Sequence, residues 1–489
     1  MSITNVQNHS LTKYLLRYDY LIIGIIAFIY YFVLASKSFN WFFASGDSGD
    51  WLASSIIWMN SQPYGSPLYV LLGHFINLYV PQAELPVAMT VLLSVLPASI
   101  TVSATYLITK KITGNLKYAL VSVLILLGAA IFLSQSSILE EYAIASMFVT
   151  LALYFYVTGR KKLTVLMLGL GTAIHIIVGL IAFIWFAAHI REWKEWWRTF
   201  WIYIVCGILP YALVLVLMYL PTPKFIAGYL SWDSINAYLG STGTIGSISW
   251  YEFLIRIPYF IGIMCVTLGL AIVPFIKAWQ NRIGRPLQLM VLTIIFTTWL
   301  YVTDQDPSTW TFMTFSLPMF AIMAGYGLTF MSKKHYKIVA YGAVALILVN
   351  SVLLNANILS TNNPLATDFE KAEKALPDGS GVITCSGGSY GLGTMYVYAQ
   401  GKEIFPLFLS GNNMASTDYK TDARYTAYVE WLNKEFGLEG NNLFDQVQYL
   451  LDNDRPVYIL IPTITPNWEG AFEYDTINKF IGKVNAVNN

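Results

Sequence analysis

Asp47 and Asp50 stand three residues apart in the stretch Gly46-Asp47-Ser48-Gly49-Asp50, where the first long apolar run of the chain ends. Gln62-Pro63-Tyr64-Gly65-Ser66-Pro67-Leu68-Tyr69 follows shortly after. Gly46 and Gly49 allow a sharp turn of the backbone, and the Pro/Gly-rich bend feeds a second apolar segment. Acids at a membrane surface are costly unless they have partners or a task. A carboxylate held within hydrogen-bond reach of a hydroxyl can remove its proton as a general base. The competing role for both acids is to cap the next helix, a position that Asp favours.

The rest of the chain must position these acids in or against a bilayer. Of 489 residues, 56% are hydrophobic, 16% aromatic and only 12% charged. A soluble domain carries about twice that charged fraction. Apolar runs long enough to cross a membrane recur, at residues 20–35, 86–109, 117–134, 139–158, 163–175, 177–190, 199–220, 252–276, 287–303, 310–331 and 337–356. The sequence therefore predicts a polytopic α-helical membrane protein with about eleven crossings. The two short runs between 163 and 190 could instead form a re-entrant pair. Residues 66–79 read as a helix lying in or dipping into the interface. The net charge of +1, with no basic stripe, offers nothing for nucleic acid. Cys206, Cys265 and Cys385 are too few and too scattered for a disulfide framework or metal cluster. No short apolar run with a small-residue cleavage site opens the chain, so no removable signal peptide is expected.

Positive charge orients the spans. Lys110, Lys111 and Lys117, Arg160 to Lys162, Arg191, Lys194 and Arg198, Lys277, Arg282 and Arg285, and Lys333, Lys334 and Lys337 occupy alternate loops on the side of the N-terminus. That side is expected to be cytoplasmic. The opposite, extracytoplasmic side (cell surface or secretory lumen) then receives Asp47, Asp50, Glu140, Glu141, Asp304 and Asp306, together with His175 at an outer turn. Arg256 falls about one turn inside the outer end of its span.

Each of these residues has a plainer role available. Glu140 and Glu141 suit a helix N-terminus by charge. Arg256 could pair with Glu252 on the same helix face. His175 could be a buried structural histidine, and Asp304 and Asp306 could belong to a tight turn before Pro307. If the outer acids meet, Mg²⁺ or Mn²⁺ would suit their oxygens; no other cofactor is expected. The outer loop 221–250, rich in Gly, Ser, Trp and Tyr, reads either as a lid or as a membrane-skimming loop.

Residues 359–489 form the second expected unit, after a membrane module over 1–358. Charge rises there and long apolar runs vanish. Strands are expected at 381–385, 404–409 and 457–461, with helices at 390–400, 423–436 and 443–453, which suggests a small extracytoplasmic α/β domain. Gly387-Gly388 after the first strand is a tight turn or a phosphate cradle, but its spacing matches no full nucleotide fingerprint.

The ordered motifs resemble a family of membrane glycosyltransferases with the GT-C architecture, which includes the TMEM-type protein O-mannosyltransferases. Asp47-Ser48-Gly49-Asp50 is similar to that family's Asp-x-Gly-Glu segment, with Asp50 at the Glu position. Gln62-Pro63-Tyr64-Gly65-Ser66-Pro67 stands where it has a His-Pro-Pro-Gly-Tyr-Pro run. Glu140-Glu141-Tyr142 resembles its Glu-Val-Tyr segment, and Gly169-Leu170 through His175 its Gly-Leu-x-x-x-x-His segment. Leu376-Pro377-Asp378-Gly379 and Arg455-Pro456-Val457-Tyr458 resemble the start and end of its outer domain. The likeness extends over nearly the whole chain.

The resemblance implies transfer of a sugar, mannose-like as in O-mannosylation, from a polyprenyl-phosphate carrier such as dolichyl phosphate. The acceptor would be a protein or glycan on the outer face. It makes Asp47 the catalytic base and Asp50 its orienting partner. Arg256 offers bidentate contacts to the lipid phosphate, and Tyr64, Glu141, His175 and Asp304 are candidate substrate contacts. Two other classes fit a membrane protein of this composition. A transporter or lipid flippase would show inverted repeats and acids at mid-membrane, and neither is visible. A non-catalytic membrane subunit presenting an outer partner-binding domain would tolerate loss of Asp47.

Overall fold

The structure is a computed structural model. It describes residues 18–36, 48, 51–52, 55, 66–81, 84–219, 250–281, 284–303, 307–357, 376–377, 380–384, 405–408, 433–434, 437–441, 443–460, 470–477 and 481–488. The first helix, α1 (Asp19–Ala35), is followed by the short α2 (Pro67–Asn77), which starts with Pro67 in its first turn. Proline suits that position because the amide hydrogen it lacks would have no partner inside the helix. Next come α3 (Leu85–Thr113), α4 (Leu116–Gly128), α5 (Ala130–Gln135) and α6 (Tyr142–Val157). The series continues with α7 (Lys161–Ile174), α8 (Ile176–Ala188) and α9 (Trp193–Tyr219). It closes with α10 (Trp250–Leu268), α11 (Ile272–Gln280), α12 (Arg285–Thr303), α13 (Leu317–Gly327) and α14 (Lys333–Asn357).

Four helices among the described residues are long and apolar enough to cross a bilayer, at Leu85–Thr113, Leu254–Gln280, Arg285–Val302 and Lys333–Leu354. Shorter apolar helices, α1, α4, α6 and α8 among them, accompany these. The chain is thus an integral membrane protein. Its outward faces carry large apolar residues such as Trp201, Ile208, Tyr341, Leu348 and Val352, as a lipid solvent requires.

Three expected spans are not single α-helices. The run at 117–134 breaks at Ala129, whose ψ of 110° is extended. The Gly128 carbonyl freed by this break accepts a 2.6 Å hydrogen bond from the Asn350 side chain of α14. The run at 252–276 bends through a 3₁₀ turn at Gly269–Ala271, where Gly269 has φ +52°. The run at 310–331 begins as a 3₁₀ segment, Pro307–Phe315, and becomes α-helical only at Leu317. Pro318 then sits in the first turn of α13, where its missing donor is harmless. The loop 221–250 lies outside the described residues, apart from Trp250 at the head of α10.

Toward the C-terminus, β1 (Gly381–Thr384), β2 (Phe405–Phe408), α15 (Leu443–Asp452), β3 (Val457–Leu460), β4 (Phe472–Thr476) and β5 (Ile481–Val487) are present. The strands form one mixed sheet in the order β2-β1-β3-β5-β4. β1 pairs in parallel with β2 and β3, while β5 runs antiparallel to β3 and β4. The first three strands lie where their apolar runs place them. β4 and β5 were not anticipated, because β4 exposes Glu473, Asp475 and Thr476 and keeps only Phe472 fully inside. The helix expected at 390–400, most of the one at 423–436, and Gly387-Gly388 are outside the described residues.

Helices α11 and α13 approach backbone to backbone at Gly327, where a Cβ would overlap the Pro274 carbonyl. Gly327→Ala is therefore expected to destabilise the membrane module by roughly 1–3 kcal/mol. This would be seen as a lower melting temperature of the detergent-purified protein.

Candidate active site

The segment between α5 and α6 carries Glu140 and Glu141, and both are buried, at 5% and 0% exposure. Ser48, from the opening motif, donates its hydroxyl to the Leu139 carbonyl at 2.6 Å. That bond ties Ser48 directly to the residue before the glutamates. Ser94 donates to the Glu140 carbonyl at 3.3 Å. It lies in a π-helical turn, Val91–Val95, inside α3, a local widening that is frequent at functional sites.

His175 occupies the break between α7 and α8, with φ −151° and ψ 128°. Its Nδ1 accepts from the Ile177 backbone N–H at 3.2 Å and so caps α8. The tautomer this cap selects carries its hydrogen on Nε2, which faces Glu141 Oε1 at 3.7 Å. That separation exceeds a direct hydrogen bond but leaves the two groups electrostatically close. The imidazole is 1% exposed and enclosed by rings: Tyr142 and Phe315 at 5.3 Å, and Phe312 at 6.1 Å between centroids. The 3₁₀ segment that replaces the first part of the expected span 310–331 supplies both phenylalanines, one turn apart. Ser146 of α6 fixes that segment by donating to the Thr314 carbonyl at 3.1 Å.

Tyr69 and Trp51 form a second wall, fully buried with their rings edge to face at 5.1 Å. Burial above all, and then the carboxylates of Glu141 and Glu140, hold the Tyr69 phenol protonated well above its usual range. α2 is steadied from below, because His74 Nδ1 lies 2.9 Å from the Ser55 carbonyl.

Of the residues singled out in the sequence, Glu141 and His175 come together, with Glu140 and Ser48 beside them. Arg256 lies on α10, half-buried; no hydrogen bond or ion pair among the described residues joins it to this cluster. Its neighbour Ile257 opens an apolar groove of about 560 Å³ between α10, α11 and α12, lined also by Phe260, Met264, Phe275, Trp299 and Phe320. Asp47, Asp50, Tyr64 and Asp304 lie outside the described residues. Among the described residues no group of three or more His, Cys, Asp or Glu could hold a metal ion. Tyr69, Ser94, Phe312 and Phe315 were not picked out as site residues. Each reads in the sequence as an ordinary member of an apolar run, and only the paired rings at 312 and 315 give a hint.

No family model matches the chain, and no curated protein matches it. Among solved structures, it resembles the crystal structure of ArnT from Cupriavidus metallidurans bound to undecaprenyl phosphate. The TM-score is 0.62 at 11% identity, over 96% of this chain and 98% of that one. At that identity the likeness is one of fold. The chain has a GT-C fold.

Two substitutions separate the capping role of His175 from its bulk. His175→Asn retains an acceptor for the Ile177 N–H, whereas His175→Leu fills space without one. Thermal denaturation should rank Asn above Leu, by about 1 kcal/mol for the lost cap.

Proposed function

We propose that the protein is an integral-membrane glycosyltransferase that moves a sugar from a polyprenyl-phosphate carrier to an acceptor hydroxyl on the extracytoplasmic face. The observation that carries this reading is the Ser48–Leu139 bond within a GT-C fold. It brings Ser48, which stands between Asp47 and Asp50 in the sequence, to the backbone just before the buried Glu140 and Glu141, and this supports the reading. Support for the carrier comes from the ArnT structure, which has undecaprenyl phosphate bound, and from the apolar groove lined by Ile257, the residue that follows Arg256 in the sequence.

In this mechanism Asp47 accepts the proton of the acceptor hydroxyl as that oxygen attacks the anomeric carbon. Asp50 orients Asp47. The bond from the anomeric carbon to the phosphate oxygen breaks, and the lipid phosphate leaves with the electron pair. Arg256 stabilises the charge that develops on it. Glu141, His175, Tyr64 and Asp304 contact the substrates. The sugar is mannose-like and the acceptor a protein or glycan. Where Asp304 and Asp306 meet Asp47, their oxygens would suit Mg²⁺ or Mn²⁺. The N-terminus is cytoplasmic, following the positive-charge pattern of the loops.

Purified protein is expected to release mannose from radiolabelled polyprenyl-phosphate-mannose. Asp47→Asn should lower turnover by about 10²–10⁴-fold, the usual contribution of a general base, with folding unchanged. Equal turnover in both would remove Asp47 from the mechanism. Arg256→Lys keeps the charge but loses the planar fork, and should raise the KM for the carrier or lower kcat without changing which sugar is taken.

A further inference from the structure

We propose that the start of α9 is a docking site for an anionic phospholipid, with Arg191, Lys194 and Arg198 holding the headgroup phosphate and the acyl chains lying along the apolar face that follows. Such a site is independent of the sugar transfer described above.

The charges at this corner are unbalanced. Residues 191–198 contain the cations Arg191, Lys194 and Arg198 and the acids Glu192 and Glu195. Both acids are already engaged, Glu192 with Arg285 and Glu195 with Lys161. The three cations are exposed and make no ion pair among the described residues. The Lys161–Glu195 pair also draws the start of α7 alongside, and with it the exposed Arg160 and Lys162. Lys194 and Arg198 stand four residues apart on one helix face, where like charges are destabilising. Lys194 lies in the first turn of α9, the end of a helix that disfavours a cation. An anion from outside the chain relieves both penalties, and the guanidinium of Arg198 is suited to grip a phosphate in bidentate fashion.

The same face names the anion as a lipid. Trp197 and Trp201 follow Lys194 at helical spacing and are 64% and 62% exposed. Indoles of this kind settle where headgroups meet acyl chains. Trp197 is held in place by stacking on Phe200, with ring centroids 5.4 Å apart. Beyond Trp201 the exposed face is aliphatic, through Ile204, Val205, Ile208 and Leu213. The helix rises by about 18 Å from Trp201 to Leu213 at 1.5 Å per residue, close to the roughly 15 Å of hydrocarbon in one leaflet. Cations, indoles and aliphatic residues thus succeed one another as phosphate, glycerol and chains do in a phospholipid. Clustered Lys and Arg at a membrane surface attract anionic headgroups. The exposed lysines at the start of α14, Lys333, Lys334 and Lys337, have no tryptophan near them in the sequence, and so provide a control of equal charge chemistry.

Full-length protein in detergent would be titrated with phosphatidylglycerol or phosphatidylcholine of identical chains. Native mass spectrometry would count the bound lipids, and melting temperatures would be recorded in parallel. The native protein is expected to bind phosphatidylglycerol about 30-fold more tightly than phosphatidylcholine, the factor that two neighbouring cations supply. Lys194→Gln with Arg198→Gln should erase that preference, with phosphatidylcholine binding and melting temperature unchanged. The exchange Lys194→Arg with Arg198→Lys keeps both charges and should keep most of the preference. Lys333→Gln, Lys334→Gln and Lys337→Gln together should leave it intact. No preference in the native protein, or its survival in the double glutamine variant, overturns the site. An equal loss in the α14 variant overturns it as well, since charge alone would then suffice. A native dimer that the double glutamine variant converts to monomer, with lipid binding unaltered, assigns the face to a second copy of the chain and also overturns it.

Discussion

Enclosing a carboxylate inside a helical membrane bundle is the constraint around which this structure is arranged. Glu141 has no contact with bulk solvent, and an ionised group in such a place is tolerated only when nearby polar groups replace its water. Four distant segments come together around this carboxylate and the backbone that carries it. The opening motif arrives through Ser48, α3 through Ser94, the break between α7 and α8 through His175, and the 3₁₀ segment before α13 through Phe312 and Phe315. The departures from regular helix fall largely at the same place. Ser94 sits in a π turn, His175 in an extended break, and the two phenylalanines in a 3₁₀ stretch. Regular helices would point these side chains elsewhere.

The remainder of the membrane module makes such irregularity affordable. Freed backbone groups are taken up by side chains from neighbouring helices, as when Asn350 of α14 serves the Gly128 carbonyl at the α4–α5 break. Close packing, with Gly327 against the Pro274 backbone, fixes the helices that carry the 3₁₀ segment. On the side with the Lys and Arg clusters, Glu192 pairs with Arg285 and Lys161 with Glu195. The guanidinium holds the Glu192 carboxyl below its usual range. These exposed pairs contribute little energy, but they connect the starts of α7, α9 and α12.

Much of this was legible in the sequence, and the unreadable part has a physical cause. Apolar runs marked the helices because lipid demands an apolar surface over a fixed length. Glu141 and His175 stood out because acids and imidazoles are rare in such runs. The breaks at Ala129 and before Leu317 did not show, since hydropathy reports the solvent around a segment and is silent about its hydrogen-bond pattern. Tyr69 was equally hidden. A tyrosine in an amphipathic helix is ordinary, and only the folded chain shows it fully buried with its ring against Trp51. Strands β4 and β5 were missed for a related reason, as edge strand β4 fully buries only Phe472 and β5 spaces its buried Ile481 and Val484 among polar residues, so neither makes an apolar run.

The bond between Ser48 and Leu139 joins residues 91 positions apart, and this bears on how the protein is made. Chains emerge from the ribosome N-terminus first, so the motif is synthesised well before its anchor exists. His175 follows α7, and the phenylalanines that enclose it come only after α12. The enclosed Glu141–His175 cluster is therefore a late product of membrane insertion, assembled only after most of the bundle has been synthesised. A nascent chain halted before Phe312 would hold Ser48, Glu141 and His175, yet lack the rings that enclose the imidazole.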